Sequence, residues 1–135
     1  TEPELIKVWF APKPVETTVV EIEPRPGGRF RTVMVVPEHG EMSGDAGCIL
    51  VADPHRRLVW TNSLGPEFVP NIIGTGPHEF GFSVDIQLSE KDGGCLYEVV
   101  VSHGNAEDAK KHAEMGFEQG WGAATTQLEA LAATL

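Results

Sequence analysis

The chain has 135 residues, of which 20 are acidic and 10 are basic, and its formal net charge at pH 7 is −10. A chain of this length fits one domain over residues 1–135, which buries about 65–70% of its unfolded surface and needs neither disulfides nor a metal to fold. The negative charge repels phosphate groups and anionic lipids, and no apolar run approaches the ~20 residues of a membrane span. We therefore expect no nucleic-acid partner, no membrane partner and a cytoplasmic location.

A short helix and then a series of strands are predicted from the amino end. The helix begins at Pro3 and is stopped by Pro12 and Pro14, because proline cannot continue a helix interior. From Thr17 to His103, β-branched residues alternate with turn signals, which is typical of successive antiparallel hairpins. About six strands fit this pattern, at residues 16–23, 29–36, 46–52, 57–63, 79–89 and 95–103.

Two longer segments follow different patterns. Residues 65–77 contain three prolines and three glycines, so they predict a long loop over one end of the sheet, which is a candidate lid. After Asn105, a suitable N-cap, residues 106–135 contain no proline and many helix-forming residues. They predict one continuous helix of about seven turns.

Alternation along the strands assigns their faces. In the clearest strand, Phe82, Val84, Ile86 and Leu88 share one face and are expected to point to the interior. The same parity gives the inward sets of the other strands, which are Phe30, Thr32 and Met34, then Leu58, Trp60 and Asn62, and then Tyr97, Val99, Val101 and His103. On the terminal helix, apolar residues recur at steps of three or four and are expected to face the sheet, namely Phe117, Trp121, Ala124, Leu128, Leu131 and Leu135.

Two glycines and two histidines are of particular interest near the carboxyl end. Gly116 and Gly120 lie inside the predicted helix, where a glycine costs about 1 kcal/mol relative to alanine. They either clear room for a ligand or let the helix approach the sheet or the N-terminal helix closely. His103 ends an inward set, so it is either a pocket residue or a structural residue at the strand end. His112 is expected to project away from the apolar stripe into solvent.

Several motifs resemble one family over nearly the whole chain. They are Thr1-Glu2-Pro3-Glu4-Leu5 running into Trp9-Phe10-Ala11-Pro12, Pro26-Gly27-Gly28-Arg29-Phe30, Asp53-Pro54 with Arg57-Leu58-Val59-Trp60-Thr61, and Gly120-Trp121 with Leu128 and Leu131. The chain resembles the START-like (SRPBCC) superfamily and, within it, bacterial proteins similar to the C-terminal domain of the activator of heat-shock protein 90 ATPase. This resemblance implies an α+β helix-grip (START/Bet v-like) fold, in which a curved antiparallel sheet of about six strands wraps around a long C-terminal helix.

The resemblance is incomplete at the amino end. The family usually begins with a further strand and helix before the Thr1-Glu2-Pro3 helix, and this sequence starts at that helix. A strand edge left uncovered exposes free backbone donors and acceptors, which favour pairing with another chain. A homodimer is therefore among the expected partners.

The functions that the resemblance implies fall into three classes. The first is a cavity between sheet and helix that binds a hydrophobic or aromatic small molecule. The residues expected to line it are Phe30, Met34, Trp60, Phe82, Val84, Tyr97, Val99, His103, Gly116, Phe117, Gly120 and Trp121. An alternative is a protein-interaction module with a chaperone or other protein partner, because eukaryotic relatives stimulate the ATPase of heat-shock protein 90. A second alternative is a cyclase- or hydrolase-like enzyme that uses the same cavity, with His103 and Tyr97 as candidate acid/base groups.

Recognised motifs for catalysis and for cofactors are absent from the sequence. It contains no Gly-x-Ser-x-Gly elbow, no phosphate-binding loop and no dinucleotide fingerprint in its proper context. Cys48 and Cys95 form no Cys-x-x-Cys pair, and the histidines lack the spacing of metal ligands. We therefore expect two reduced thiols, no metal, no cofactor and no recognised catalytic residue.

Overall fold

A computed structural model describes residues 1–135 and contains three helices and seven strands. The predicted N-terminal helix and the six predicted strands are present, with boundaries that differ by a few residues, and one further short strand is added. In chain order the elements are α1 (Pro3–Trp9), β1 (Glu16–Ile22), β2 (Arg29–Val36), β3 (Gly40–Ser43), β4 (Gly47–Asp53), β5 (Arg57–Thr61), β6 (Phe82–Lys91), β7 (Gly94–His103), α2 (Ala106–Glu114) and α3 (Phe117–Ala132).

The strands form one antiparallel sheet in the order β1-β2-β4-β5-β6-β7, which confirms the helix-grip fold class. The added strand β3 pairs with β2 beside this path. β2 bonds to β4 only at Arg29 and Phe30, and its later residues, from Val33 to Val36, pair with β3 instead. The sheet therefore divides beyond Phe30, and the β2–β3 hairpin diverges from β4 there.

The turn between β1 and β2 needs its two glycines for different reasons. Gly27 has a φ of +80°, a backbone conformation that residues other than glycine rarely adopt. A Cβ atom on Gly28 would stand 2.0 Å from the carbonyl oxygen of Glu23, which is far inside van der Waals contact. The turn is also tied to β4, because the Gly27 N–H donates to Ile49 O and the Ile49 N–H donates to Gly28 O, both at 2.8 Å.

The core lies between the concave face of the sheet and the helices. Its centre consists of Phe30, Ile49, Trp60, Val84 and Ile86, each no more than 9% exposed. These residues belong to β2, β4, β5 and β6, and the partly buried Tyr97, Val99 and Val101 of β7 pack against them. The predicted alternation of faces is confirmed along β6 and β7. In β2 and β5, Val33 and Thr61 of the predicted outward sets are also buried, so burial does not alternate there.

The carboxyl-terminal segment forms two helices, so the prediction of one continuous helix is wrong. The Asn105 side chain accepts a hydrogen bond from the Asp108 N–H at 2.8 Å, which confirms the predicted N-cap of α2. Gly116 then takes a φ of +77° and ends the helical path, and α3 begins at Phe117. Because of this break, the faces of α3 do not continue those of α2 in one helical register. No helix is both long enough and apolar enough to cross a membrane.

The N-terminal helix packs against α3. The side chain of Gln127 donates to the carbonyl oxygens of Trp9 and Ala11, at 3.0 and 2.7 Å, and accepts from the Lys13 N–H at 3.0 Å. A Cβ atom on Gly120 would meet Pro12 at 3.7 Å, an ordinary contact distance. Gly120 therefore lies where α3 approaches the segment that follows α1.

The predicted loop at residues 65–77 is present, with one 3-10 turn at Pro66–Phe68. Its Glu67 N–H donates to Gly27 O at 2.8 Å, and its Asn71 side chain donates to the carbonyl oxygens of Ala46 and Asn62. These bonds hold the loop against one end of the sheet. None of its residues borders the hollows described below, so the loop does not act there as the lid that the sequence suggested.

We predict opposite effects for alanine at two glycines. Gly28→Ala should lower the free energy of unfolding by about 3 kcal/mol, because its Cβ collides with a backbone carbonyl that cannot move freely. Gly122→Ala, the matched control, should raise it by up to about 1 kcal/mol, since Gly122 is exposed in α3 with open space around its Cα. Urea denaturation measures both, and equal stability of the two variants would contradict the steric explanation.

Candidate ligand-binding site

Four aromatic side chains connect the helices to the sheet. The rings of Phe30 and Trp60 lie 4.8 Å apart on the sheet, and the Trp121 ring of α3 stacks over Trp60 at 6.4 Å. Phe10, at the end of α1, stands 6.0 to 6.2 Å from the other three rings. We call these four residues the aromatic cluster.

The aromatic cluster separates two of the hollows that lie between the sheet and the helices. The large hollow, about 560 Å³, opens on the side of α2 and the β2–β3 hairpin. The small hollow, about 210 Å³, lies between α1, α3 and the sheet. Phe10, Phe30 and Trp60 border both hollows, so the aromatic cluster is their common wall.

The walls of the large hollow come from every layer of the fold. The concave sheet provides an apolar floor, and the β2–β3 hairpin, with residues 41–45, forms part of the rim. Met42 on this rim is 51% exposed. Residues of the sheet and helices that border the large hollow include Thr32, Met34, Trp60, Asn62, Phe82, Val84, Val101, His112 and Trp121.

Two histidines meet beside the large hollow. Nε2 of His103, at the end of β7, lies 2.9 Å from Nδ1 of His112 in α2. The His112 ring stacks on Phe117 at 4.6 Å and also packs against Phe80 and Phe82. We call His103 and His112 the histidine pair. It links the last strand to α2 over an aromatic surface.

The position of His112 corrects the expectation that it projects into solvent. Its ring is half-buried and borders the large hollow. Burial lowers the pKa of His112 below its ordinary value of 6.5, and the neighbouring His103 lowers it further. No carboxylate forms an ion pair with either ring, because Asp108 on the same helix instead faces Lys111 at 3.7 Å. His112 is therefore neutral at pH 7.

Tyr97 and His103, the two candidate acid/base groups, lie six residues apart along β7. The Tyr97 hydroxyl accepts a hydrogen bond from Trp121 Nε1 at 3.2 Å. Tyr97 borders another hollow, of about 540 Å³, whose walls include Trp9, Leu58 and Leu128. Its contact with the site is therefore indirect, through the orientation of Trp121.

Six of the twelve residues predicted to line a cavity border the large hollow, and six do not. The six that border it are Phe30, Met34, Trp60, Phe82, Val84 and Trp121. Among the others, Val99 packs in the core. His103 and Phe117 contact His112 but do not themselves border the large hollow. Tyr97 borders the other hollow. Gly116 lies at the break between α2 and α3, and Gly120 lies against Pro12.

Other lining residues were absent from the predicted set. Thr32, Asn62 and Val101 carried the right signal, because they belong to the inward sets of their strands. Phe10 follows the last residue of α1, where helical periodicity gives no guidance. The rim at residues 41–45 includes most of β3, whose four residues are all exposed and show no alternation from which a strand could be predicted.

An antiparallel sheet that curves around a C-terminal helix, with an aromatic cavity between them, defines the helix-grip class of START-like proteins. The chain belongs to the family described as activator of Hsp90 ATPase homolog 1-like protein, which matches residues 1–133. This membership supports a START-like ligand-binding module or an Hsp90-activator-like module.

Solved structures with the same fold come from several bacteria. A protein from Nitrosomonas europaea is 36% identical, with a TM-score of 0.89, over 99% of this chain and 82% of its own. A Rhodobacter sphaeroides protein is 24% identical, with a TM-score of 0.79, over 100% of this chain and 80% of its own. A Mycobacterium smegmatis protein is 24% identical, with a TM-score of 0.75, over 96% and 77%. The latter two show the fold alone. No curated protein matches the chain.

We predict that His112 makes stability depend on pH. Because its pKa is lowered in the folded protein, the unfolded chain binds the proton first as the pH falls below about 6.5. The contribution of neutral His112 to the free energy of unfolding is thus fully present above that pH. It decreases as the pH falls from 6.5 towards the folded-state pKa. The melting temperature of His112→Phe should fall less between pH 7.5 and 5.5 than that of the unchanged protein. His39→Phe, at an exposed turn, is the control; equal pH slopes for all three proteins would refute this role.

Proposed function

We propose that the protein binds a small aromatic or apolar molecule in the large hollow. The observation that carries this proposal is a cavity of about 560 Å³ that Trp60, Phe82 and Trp121 border. Its volume falls within the range of about 300 to 1,000 Å³ that is usual for small-molecule sites. A mostly apolar floor with a few polar groups is the composition that such sites share.

The rings in the wall are held in place before any ligand arrives. Trp121 stacks on Trp60 and is fixed at its far edge by the Tyr97 hydroxyl. Trp60 is 5% exposed, so the core also immobilises it. A ligand ring that packs on such a surface gains about 0.5–1.5 kcal/mol per aromatic contact beyond the burial of its area. Because these rings are already ordered, binding costs the protein little conformational entropy, and most of this gain is retained.

We predict that naphthalene, a simple aromatic probe, binds the large hollow. In a ¹H–¹⁵N NMR titration, the indole signals of Trp60 and Trp121 should move in a saturable way, because both rings border this hollow. The indole of Trp9 borders the small hollow instead and serves as an internal control. Shifts confined to Trp9, or no saturable shift at all, would exclude the large hollow as an aromatic binding site.

A matched pair of valines on β7 tests the location further. Val101 borders the large hollow, so Val101→Trp should fill it and weaken naphthalene binding by about tenfold or more. Val100 is 57% exposed on the opposite face, so Val100→Trp should leave the affinity unchanged. Calorimetric titration measures both affinities, with circular dichroism to check folding. Equal affinities in the two folded variants would place the ligand elsewhere.

A second candidate function is a protein-interaction module, as the family description suggests. The observation that favours it is the edge strand β7, which bonds to β6 on one side only. Val100 is 57% exposed and Leu96 is 37% exposed on this strand. Such an edge suits pairing with a partner chain or a second copy. The test is the ATPase rate of purified Hsp90 with a saturating excess of this protein; an unchanged rate removes the activator role.

A further inference from the structure

We propose that the ligand of the large hollow is a neutral aromatic compound with a hydroxyl group, such as a phenol or naphthol, and that His112 binds this hydroxyl. The inference rests on the proposed function and narrows its ligand class. It is carried by the geometry of the histidine pair and by the polar groups that remain unpaired in the wall of the large hollow.

The histidine pair leaves one ring nitrogen without a partner. Nδ1 of His112 is engaged by Nε2 of His103 at 2.9 Å, while Nε2 of His112 makes no hydrogen bond within the protein. The ring borders the large hollow and is fixed by stacking on Phe117. An imidazole held at one nitrogen presents the other in a defined direction. Nε2 is thus a pre-oriented polar group for a ligand.

A hydroxyl group matches this nitrogen whichever way the histidine pair shares its proton. If His103 donates to His112, Nε2 of His112 carries a proton and the hydroxyl accepts it as a hydrogen bond. If His112 donates to His103, Nε2 is an acceptor and the hydroxyl donates. Thr32 provides a second hydroxyl in the wall of the same hollow, and this hydroxyl has no hydrogen-bond partner within the protein.

The charges around the large hollow disfavour a carboxylate ligand. The side chains that pack on His112 from other elements are Phe80, Phe82, Phe117 and His103, none of which provides a fixed positive charge. On its own helix, Lys111 faces Asp108. Two acidic residues, Glu41 and Asp45, stand at the rim, and the rim residue Arg31 is paired with Glu21 at 3.5 Å. A neutral polar group is therefore preferred over an anion.

His103 is a positioning residue in this scheme, because it acts on the ligand only through His112. His103→Phe should free the His112 ring and reduce the preference for a hydroxyl, while aromatic binding itself persists. His103→Gln should restore much of the preference, since a side-chain amide can both donate to and accept from Nδ1. A merely structural role would move the affinity for all aromatic probes together.

The test compares 2-naphthol, naphthalene and 2-naphthoate by calorimetric titration at pH 7.5. For the unchanged protein, 2-naphthol should bind tightest. The ratio of the naphthol and naphthalene affinities should fall about fivefold in His112→Phe, which keeps the aromatic stacking and loses the hydrogen bond. His78→Phe, at an exposed turn that borders neither hollow, should leave the ratio unchanged. Naphthalene serves as the reference for apolar burial alone.

The unchanged protein supports a second measurement that needs no variant. Addition of 2-naphthol should shift the ¹⁵N signal of His112 Nε2, and naphthalene should shift it much less. An unchanged affinity ratio in His112→Phe, or tighter binding of 2-naphthoate, would overturn the hydroxyl inference while the aromatic site stands. Failure of all three probes to bind would overturn the proposed function and this inference together.

Discussion

The stacking of helix-borne rings on sheet-borne rings is the contact on which the rest of the architecture depends. Trp121 from α3 and Phe10 from the end of α1 meet Trp60 and Phe30 on the concave sheet, with centroids 4.8 to 6.4 Å apart. Large rings fill the middle of the interior and keep the helices at a distance from the sheet on either side. The two hollows follow from this arrangement, because smaller side chains on the flanks do not fill that distance.

The asymmetry between the two hollows gives the site its chemical character. On the α1 side, leucines and Ile6 produce a small and almost wholly apolar space. On the α2 side, the divided sheet opens towards solvent, and Thr32, Asn62 and His112 introduce polar groups among aromatic rings. The side chain of Asn62 is already bonded to the backbone of Phe80 and Phe82. His112 and Thr32 are the groups that retain hydrogen-bonding capacity towards a ligand.

The sequence predicted the sheet well because alternation is a local signal, and the clearest example, β6, has the expected inward face. Prediction was wrong where one residue changes the course of the chain. A glycine such as Gly116 looks the same within a helix and at a break, and only its φ of +77° distinguishes them. Because α2 and α3 are separate helices, one helical wheel drawn through both assigns the residues of α2 to the wrong face. His112 was therefore placed in solvent, whereas it packs between β7, Phe82 and Phe117.

The position of a bound aromatic ring is the most direct test of the central claim that the large hollow is the binding site. Intermolecular nuclear Overhauser effects, measured with excess naphthalene and methyl-labelled protein, locate that ring. Contacts to the methyl groups of Thr32, Met34 and Val101 are the predicted result, because these residues border the large hollow. Contacts to Leu5, Leu131 and Leu135 instead would place the ligand in the small hollow and contradict the claim.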